Sequence, residues 1–173
     1  MCIRDRYRCC NDGNSFRCKT HVEVVDGVQY DKGLKNSHFI TNKANKTAEL
    51  DKPLVLLLES PVDTIRQIQS VLEYVIKNNK PLLIIGDLEQ GVLSALAMNK
   101  VKGAIKVNVI DAPTYGISKQ QMLQDLSLLT GATIINEDLG DDMDMIKPEH
   151  LGQCVKSVTS HEDTVLQLSL IHI

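Results

Sequence analysis

The chain reads as an α/β protein, a central sheet flanked by helices. Three observations predict this. Four short apolar runs are bounded by Gly and Pro, as buried strands are: 54–58, 82–86, 104–110 and 133–136. The stretches between them carry apolar residues at helical spacing. No linker rich in Pro, Gly or Ser divides the pattern, and no internal repeat is present. Strand and helix in alternation call for a parallel or mixed sheet with helices packed on it.

The elements follow in order. Leu54 to Leu58 is a continuous apolar run after Pro53. A helix is expected over 62–78, with Ile65, Ile68, Val71, Leu72, Val75 and Ile76 spaced for it and Asp63 near its positive end. Leu82 to Ile85 lies between Pro81 and Gly86. A second helix is expected over 91–102, carrying Leu93, Leu96, Ala97, Met98 and Val101. The run 104–110 contains β-branched Ile105, Val107, Val109 and Ile110. A third helix is expected over 118–130, with Ser118 as N-cap, Met122, Leu123, Leu126 and Leu129 as apolar positions, and Gly131 as its stop. The last strand, at 133–136, follows that glycine. His161, Glu162 and Asp163 form a charged turn near the end.

Composition narrows the function classes. The 173 residues suffice for one domain, and 43% are hydrophobic, so a sizeable core is available. Aromatics are only 3% and Trp is absent, so that core is aliphatic. The formal charge is -3 with Lys and Arg scattered among the acids, which argues against a nucleic-acid partner. No apolar run approaches the roughly 18 residues of a membrane helix, and the N-terminus lacks a signal-peptide core. Cys2, Cys9, Cys10 and Cys18 are irregularly spaced with no His among the first twenty residues, which does not suit a metal site. Cys154 stands alone and fits a reducing compartment better than a disulfide framework.

Catalytic motifs are missing. The chain has no Gly-x-x-x-x-Gly-Lys, no Gly-x-Gly-x-x-Gly and no Gly-x-Ser-x-Gly. No two of His21, His38, His150, His161 and His172 are spaced as metal ligands on one helix. The acidic run Asp138–Asp144 lacks the order of a calcium loop and reads as a solvated turn. Its competing reading is a cation or phosphate-ester site in a small α/β enzyme.

The first two helices are ambiguous in a more useful way. Each carries apolar residues on more than one stripe. A wide core face explains this. An apolar groove exposed between paired helices explains it too, and such a patch marks a binding site. Pattern alone leaves both open.

Read whole, residues 21 to about 166 resemble the apical domain of group I chaperonins, the GroEL family. The resemblance rests on segments in the family's order: Val24-Val25-Asp26-Gly27-Val28-Gln29-Tyr30-Asp31-Lys32-Gly33, then Phe39-Ile40, then Lys80-Pro81-Leu82-Leu83-Ile84-Ile85. Lys102-Gly103, Lys106-Val107, Ala112-Pro113-Thr114-Tyr115-Gly116 and Met122-Leu123-Gln124-Asp125-Leu126 follow. Leu129-Thr130-Gly131-Ala132-Thr133-Ile134-Ile135 and Leu151-Gly152-Gln153 complete it. No segment is specific alone; their joint order is. Residues 1–20 and 168–173 do not resemble the family, being either divergent or non-native sequence joined to a fragment; the second is the reading adopted.

The resemblance implies a swivelling β/α/β apical domain over 21–167, truncated at its C-terminal side. It implies partners: non-native polypeptides, the mobile loop of a GroES-type co-chaperonin, and sister subunits of a double ring. ATP and Mg would belong to other domains of a full-length relative, so no cofactor and no ATP hydrolysis are expected of this chain. The implied compartment is bacterial cytoplasm, or a mitochondrial or plastid matrix. The family's binding groove lies between two near-parallel helices. Leu72, Leu93, Ala97 and Met98 match groove positions, and Gln69 stands where a leucine is usual. Leu34, His38 and Phe39 match usually aromatic positions, Asn36 a small polar one, and Gly27 a hinge glycine. The resemblance thus turns Leu72, Leu93 and Met98 outward with Phe39 nearby, so that Leu93 contributes little to the core.

Overall fold

The computed structural model describes residues 2–8, 19–25, 27–42, 44–112, 117–136, 146 and 148–168. In chain order the strands and helices begin with β1 (Cys2–Arg8), β2 (Lys19–Val25), β3 (Val28–Tyr30), β4 (Ala48–Asp51) and β5 (Leu54–Leu58). Then come α1 (Gln69–Asn78), β6 (Leu82–Ile85), α2 (Gln90–Val101), β7 (Val107–Ile110) and α3 (Ile117–Thr130). The chain closes with β8 (Ile134–Ile135), β9 (Gly152–Gln153), β10 (Lys156–Thr159) and β11 (Thr164–Gln167).

The expected sheet is present. Its order is β7-β6-β5-β8, with all of these neighbours parallel, and β9 pairs antiparallel with β5. The path steps one way through β5, β6 and β7, then returns to the far side of β5. Crossovers of one hand then place α1 and α2 on one face and α3 on the other. Alternation along the strands does the rest. Leu54, Leu56, Leu58, Leu82, Ile84, Val107 and Val109 share a core with Val71 and Val75 of α1 and Leu93 and Leu96 of α2. Val55, Leu57, Leu83, Ile85 and Ile110 share the opposite core with Leu123 and Leu126 of α3. Every residue of β5 is buried, so its all-apolar sequence has no solvent face to supply.

Two antiparallel parts add to the expected sheet. A second sheet has the order β3-β11-β10-β4 and packs Leu50 and Leu166 into the core that faces α3. Its strands are three or four residues long and half polar, too short to announce a period. Asn108, buried on β7, donates from Nδ2 to Thr159 Oγ1 at 2.9 Å and ties the two sheets together. The turn at 161–163 is the hairpin joining β10 to β11: Ser160 N–H donates to the Asp163 carbonyl at 2.7 Å. The other addition is the antiparallel pair of β1 and β2, registered from Cys2 opposite Val25 to Arg8 opposite Lys19.

The helix expected over 62–78 starts later. Val62 pairs with Leu88 as an isolated parallel bridge, and its amide and carbonyl are used by Asp87 and Glu89. A 3-10 turn follows over Ile65–Ile68, with Gln67 Oε1 accepting the amides of Asp63 and Thr64 at 3.2 Å. α1 ends on Asn79, whose φ of 50° supplies a left-handed cap. The run 104–110 shortens to β7, because 102–104 close the end of α2 through bonds to Met98, Lys100 and Asn99.

Candidate functional site

The residues singled out by the resemblance separate into two depths. Leu93 is 2% exposed, Ala97 4%, Leu72 8%, and Phe39 is fully buried. Met98 is 64% exposed. Leu72, Leu93 and Phe39 share the core cluster beneath α1 and α2 with Leu54, Leu56 and Ile84. The outward placement expected for Leu72 and Leu93, and for Phe39 beside them, is therefore corrected. Their side chains pack onto the apolar face of the parallel sheet, which they are needed to cover. Leu34 is half-buried against that core, its backbone bridging Ile110. Gln69 is exposed at the start of α1, where its Nε2 donates to Glu73 Oε1 at 2.7 Å.

An open concavity of about 390 Å³ lies on one flank of α2. Asn36 and His38 form its loop side; Ser94, Ala97, Met98, Val101 and Lys102 form its helix side. A second, of about 550 Å³, adjoins it through the shared His38 and Val101, and adds Ser37, Ile40, Lys46 and Lys100. Neither has an α1 residue in its lining. Of the sequence-derived candidates, the structure thus gathers Asn36, His38, Ala97 and Met98. The concavity is set between α2 and the 36–40 loop, not between the two helices as expected. The reason is topological: β7 is the edge strand of the parallel sheet, the loop abuts it through Leu34 and Ile110, and α2 is left with a free flank on that side.

The loop is held in shape by its own residues. Asn36 caps the 3-10 turn Ser37–Phe39, its Oδ1 accepting the His38 amide at 3.1 Å. Phe39 sinks into the core and fixes the far end. Lys100 of α2 reaches across to donate to the Phe39 carbonyl, and its ammonium lies 5.6 Å from the centroid of the Phe39 ring. Burial pushes the Lys100 pKa from 10.5 down to about 8, so it still carries its charge at pH 7.

Val101, 70% exposed, is the principal residue that the family pattern did not nominate. One signal pointed to it: Met98 and Val101 are three apart, which puts them side by side on one helix face. α2 is apolar around most of its circumference, so no polar stripe marked which of its apolar residues face solvent.

Other chemistry is held closed among the described residues. In doubly wound sheets, ligands bind beyond the carboxyl ends of the strands where strand order reverses. Here that position, between β5 and β8, is occupied by groups that satisfy one another. Lys119 Nζ donates to the Glu59 carbonyl at 2.7 Å and to Asp87 Oδ2 at 2.8 Å. Asn136 Nδ2 donates to Glu59 Oε2 at 2.9 Å, and Ser60 Oγ donates to Asn136 Oδ1 at 3.1 Å. No three His, Cys, Asp or Glu side chains converge as metal ligands among the described residues. The acidic run Asp138–Asp144 lies outside the described residues. Cys154 is buried, and desolvation raises its thiol to about 12, which makes it inert as a nucleophile.

Comparison with known proteins supplies the identity. No family model matches the chain. The mitochondrial chaperonin CPN60-1 of Cucurbita maxima is 40% identical over 157 residues, which is 90% of this chain and 27% of that protein. The chaperonin GroEL of Acholeplasma laidlawii is 42% identical over 149 residues, 86% of this chain and 28% of that protein. The mitochondrial chaperonin CPN60-1 of Zea mays is 38% identical over 156 residues. The chain spans roughly a quarter of the length of the curated relatives it matches. Identity near this level, sustained from a bacterium to two plants over most of the chain, makes it a chaperonin sequence: the chain belongs to the chaperonin family of GroEL and CPN60, as part of one member's length.

Proposed function

We propose that residues 21–167 form the apical, polypeptide-binding part of a group I chaperonin, and that they capture non-native chains on the flank of α2. The observation that carries this reading is the ridge of Met98 and Val101, exposed beside Ala97 and bordering an open concavity. Singly exposed apolar side chains need no explanation, as Leu128 on α3 does not, but neighbouring ones bordering a concavity mark a binding surface. Burying them contributes about 25 cal/mol per Å² and demands no direction, which suits clients of varied sequence. Met98 adds an unbranched, polarisable side chain that repacks around different shapes. The mobile loop of a GroES-type co-chaperonin would use the same surface. Leu93 and Phe39 serve it from below, by fixing α2 and the loop that frame it, while Leu72 anchors α1 to the same core.

The remaining parts of the reading concern the whole protein. ATP with Mg would bind in other domains of the full-length chain, whose hydrolysis would drive release, and sister subunits would complete a ring. Its compartment would be bacterial cytoplasm, or a mitochondrial or plastid matrix; the plant relatives are named mitochondrial. Gly27 would act as the hinge through which the domain swings. It already has a local reason to be glycine: its φ is +157°, and a Cβ there would lie 2.0 Å from the Leu166 carbonyl oxygen. A hinge built on it would have to open that contact with β11.

The test is the double variant Met98→Ser, Val101→Ser, titrated against a permanently unfolded client and melted in parallel. Each side chain contributes on the order of 1.5–3 kcal/mol if the client buries it fully, so affinity should fall by tenfold or more. The denaturant midpoint should barely move, because surface substitutions usually stay within about 0.5 kcal/mol. Unchanged client affinity would refute the ridge as the binding surface.

A further inference from the structure

The adjoining concavities on α2 meet at His38 and Val101, and each combines apolar and basic lining. Ala97, Met98 and Val101 supply apolar lining; Lys46, Lys100 and Lys102 supply a basic rim, and no acidic side chain lines either hollow. The ion pairs at Lys35–Asp111, Lys119–Asp87 and Lys156–Glu49 are all made elsewhere. Three cations from two separate segments therefore border two adjoining hollows that meet at His38 and Val101, Lys102 the first and Lys46 and Lys100 the second.

We propose that this surface selects polypeptide segments in which an acidic residue accompanies apolar ones, with Met98 and Val101 taking the apolar side chains and Lys46, Lys100 and Lys102 taking the carboxylate. The proposal rests on α2 being the polypeptide-binding flank and adds a charge preference to it. Cations in the last turn of a helix also complement its dipole. That does not account for this rim. Lys46 comes from the loop, and Lys100 turns its ammonium to the Phe39 carbonyl, not to the carbonyls that end α2. An ammonium has three donors, so Lys100 retains capacity for a carboxylate while holding the loop. Its charged form is disfavoured by burial, and an arriving carboxylate relieves that cost. The occupant is a polypeptide because the lining joins apolar side chains to charged ones, and acidic because every formal charge among the lining residues is positive.

The probe is a pair of fluorescein-labelled peptides with identical apolar residues, one carrying glutamates and the other glutamines at the same places, titrated against the full chain at low salt. The glutamate peptide should bind tighter by about three- to tenfold, as one or two partly exposed ion pairs allow. The gap should close as ionic strength rises, since a Debye length near 8 Å at physiological salt screens exposed pairs. It should shrink in Lys46→Gln, Lys102→Gln, two exposed positions whose change leaves folding intact by circular dichroism, and disappear when Lys100→Met is added. Equal binding of both peptides overturns the charge preference and leaves the binding surface standing. A preference that survives all three lysine changes overturns the assignment to these lysines. Binding of neither peptide overturns the surface itself.

Discussion

Helices α1 and α2 lie on the same face of the same sheet and use their apolar residues differently. α1 is amphipathic in the ordinary sense. Val71, Leu72 and Val75 go inward, while Gln69, Glu73 and Lys77 stand in water. α2 has no such division. Val92, Leu93, Leu96 and Ala97 go inward, and Met98 and Val101 are exposed all the same. A helix apolar on all sides is normally a buried helix. α2 is not buried on all sides, so Met98 and Val101 are left on its solvent side, the side proposed above to bind. On α1, by contrast, exposure carries no such message: Ile76 is the one large apolar side chain there that is mostly exposed.

The sharpest way to break this comparison is at Leu93. It is 2% exposed, so Leu93→Ser should cost about 2–5 kcal/mol by removing core contact and leaving a polar group behind. Met98→Ser, five residues on, should cost about 0.5 kcal/mol or less. Denaturant midpoints of the two variants measure the difference directly. Similar losses at both positions would mean that α2 has no outward apolar face.

A pH experiment probes the contact between α2 and its loop. Lys100 has a folded pKa of about 8 against 10.5 when unfolded. Between those values the unfolded state holds more protons, so stability rises with pH. That contribution is present above 10.5 and is lost as pH falls through about 8. Cys154 works in the opposite sense. Its thiol is raised from 9.0 to about 12, so its contribution is complete below 9.0 and is lost as pH climbs to about 12. In a Cys154→Ala background, unfolding free energy should therefore climb from pH 8 to 10.5, and Lys100→Met should flatten that climb. A climb that persists without Lys100 would show that its amine is not held between helix and loop.

The smallest effect is expected at Gln69. Replacing it with leucine forfeits the hydrogen bond to Glu73, a pair four apart worth about 0.2–0.5 kcal/mol. Client affinity should not change, since α1 contributes nothing to the lining of either concavity. Tighter binding in Gln69→Leu would place α1 in the binding surface after all, and would restore the expectation of a groove between the two helices.

Several features are legible in the residues alone. The strands of the parallel sheet can be read from signals carried by adjacent residues: β5, β6 and β8 are apolar runs that follow a Gly or Pro closely, and β7 is rich in β-branched residues although it holds Asn108. The turn at 161–163 is legible for the same reason. Val28–Tyr30 and Lys156–Thr159 are not, because three or four residues with one face polar look like loop until a partner strand arrives from far along the chain. Within the site, Asn36, His38, Ala97 and Met98 emerge from the family's segment order. Val101, Lys46 and Lys100 do not, because their roles arise where a loop meets a helix some sixty residues later.

What the amino-acid sequence determined by itself is the identity of the parallel sheet, the existence of its three helices and the chaperonin ancestry. All of these are written in local periodicity or in segment order. What only the tertiary structure decided is the phase of α2. A helix declares its buried side in sequence only when polar residues gather on the other side, and in α2 Gln90, Ser94, Asn99 and Lys100 are spread around the cylinder among the apolar residues. Contact with the sheet and the Phe39 loop selects which of those apolar residues sink, and the free flank beside the edge strand selects which remain outside.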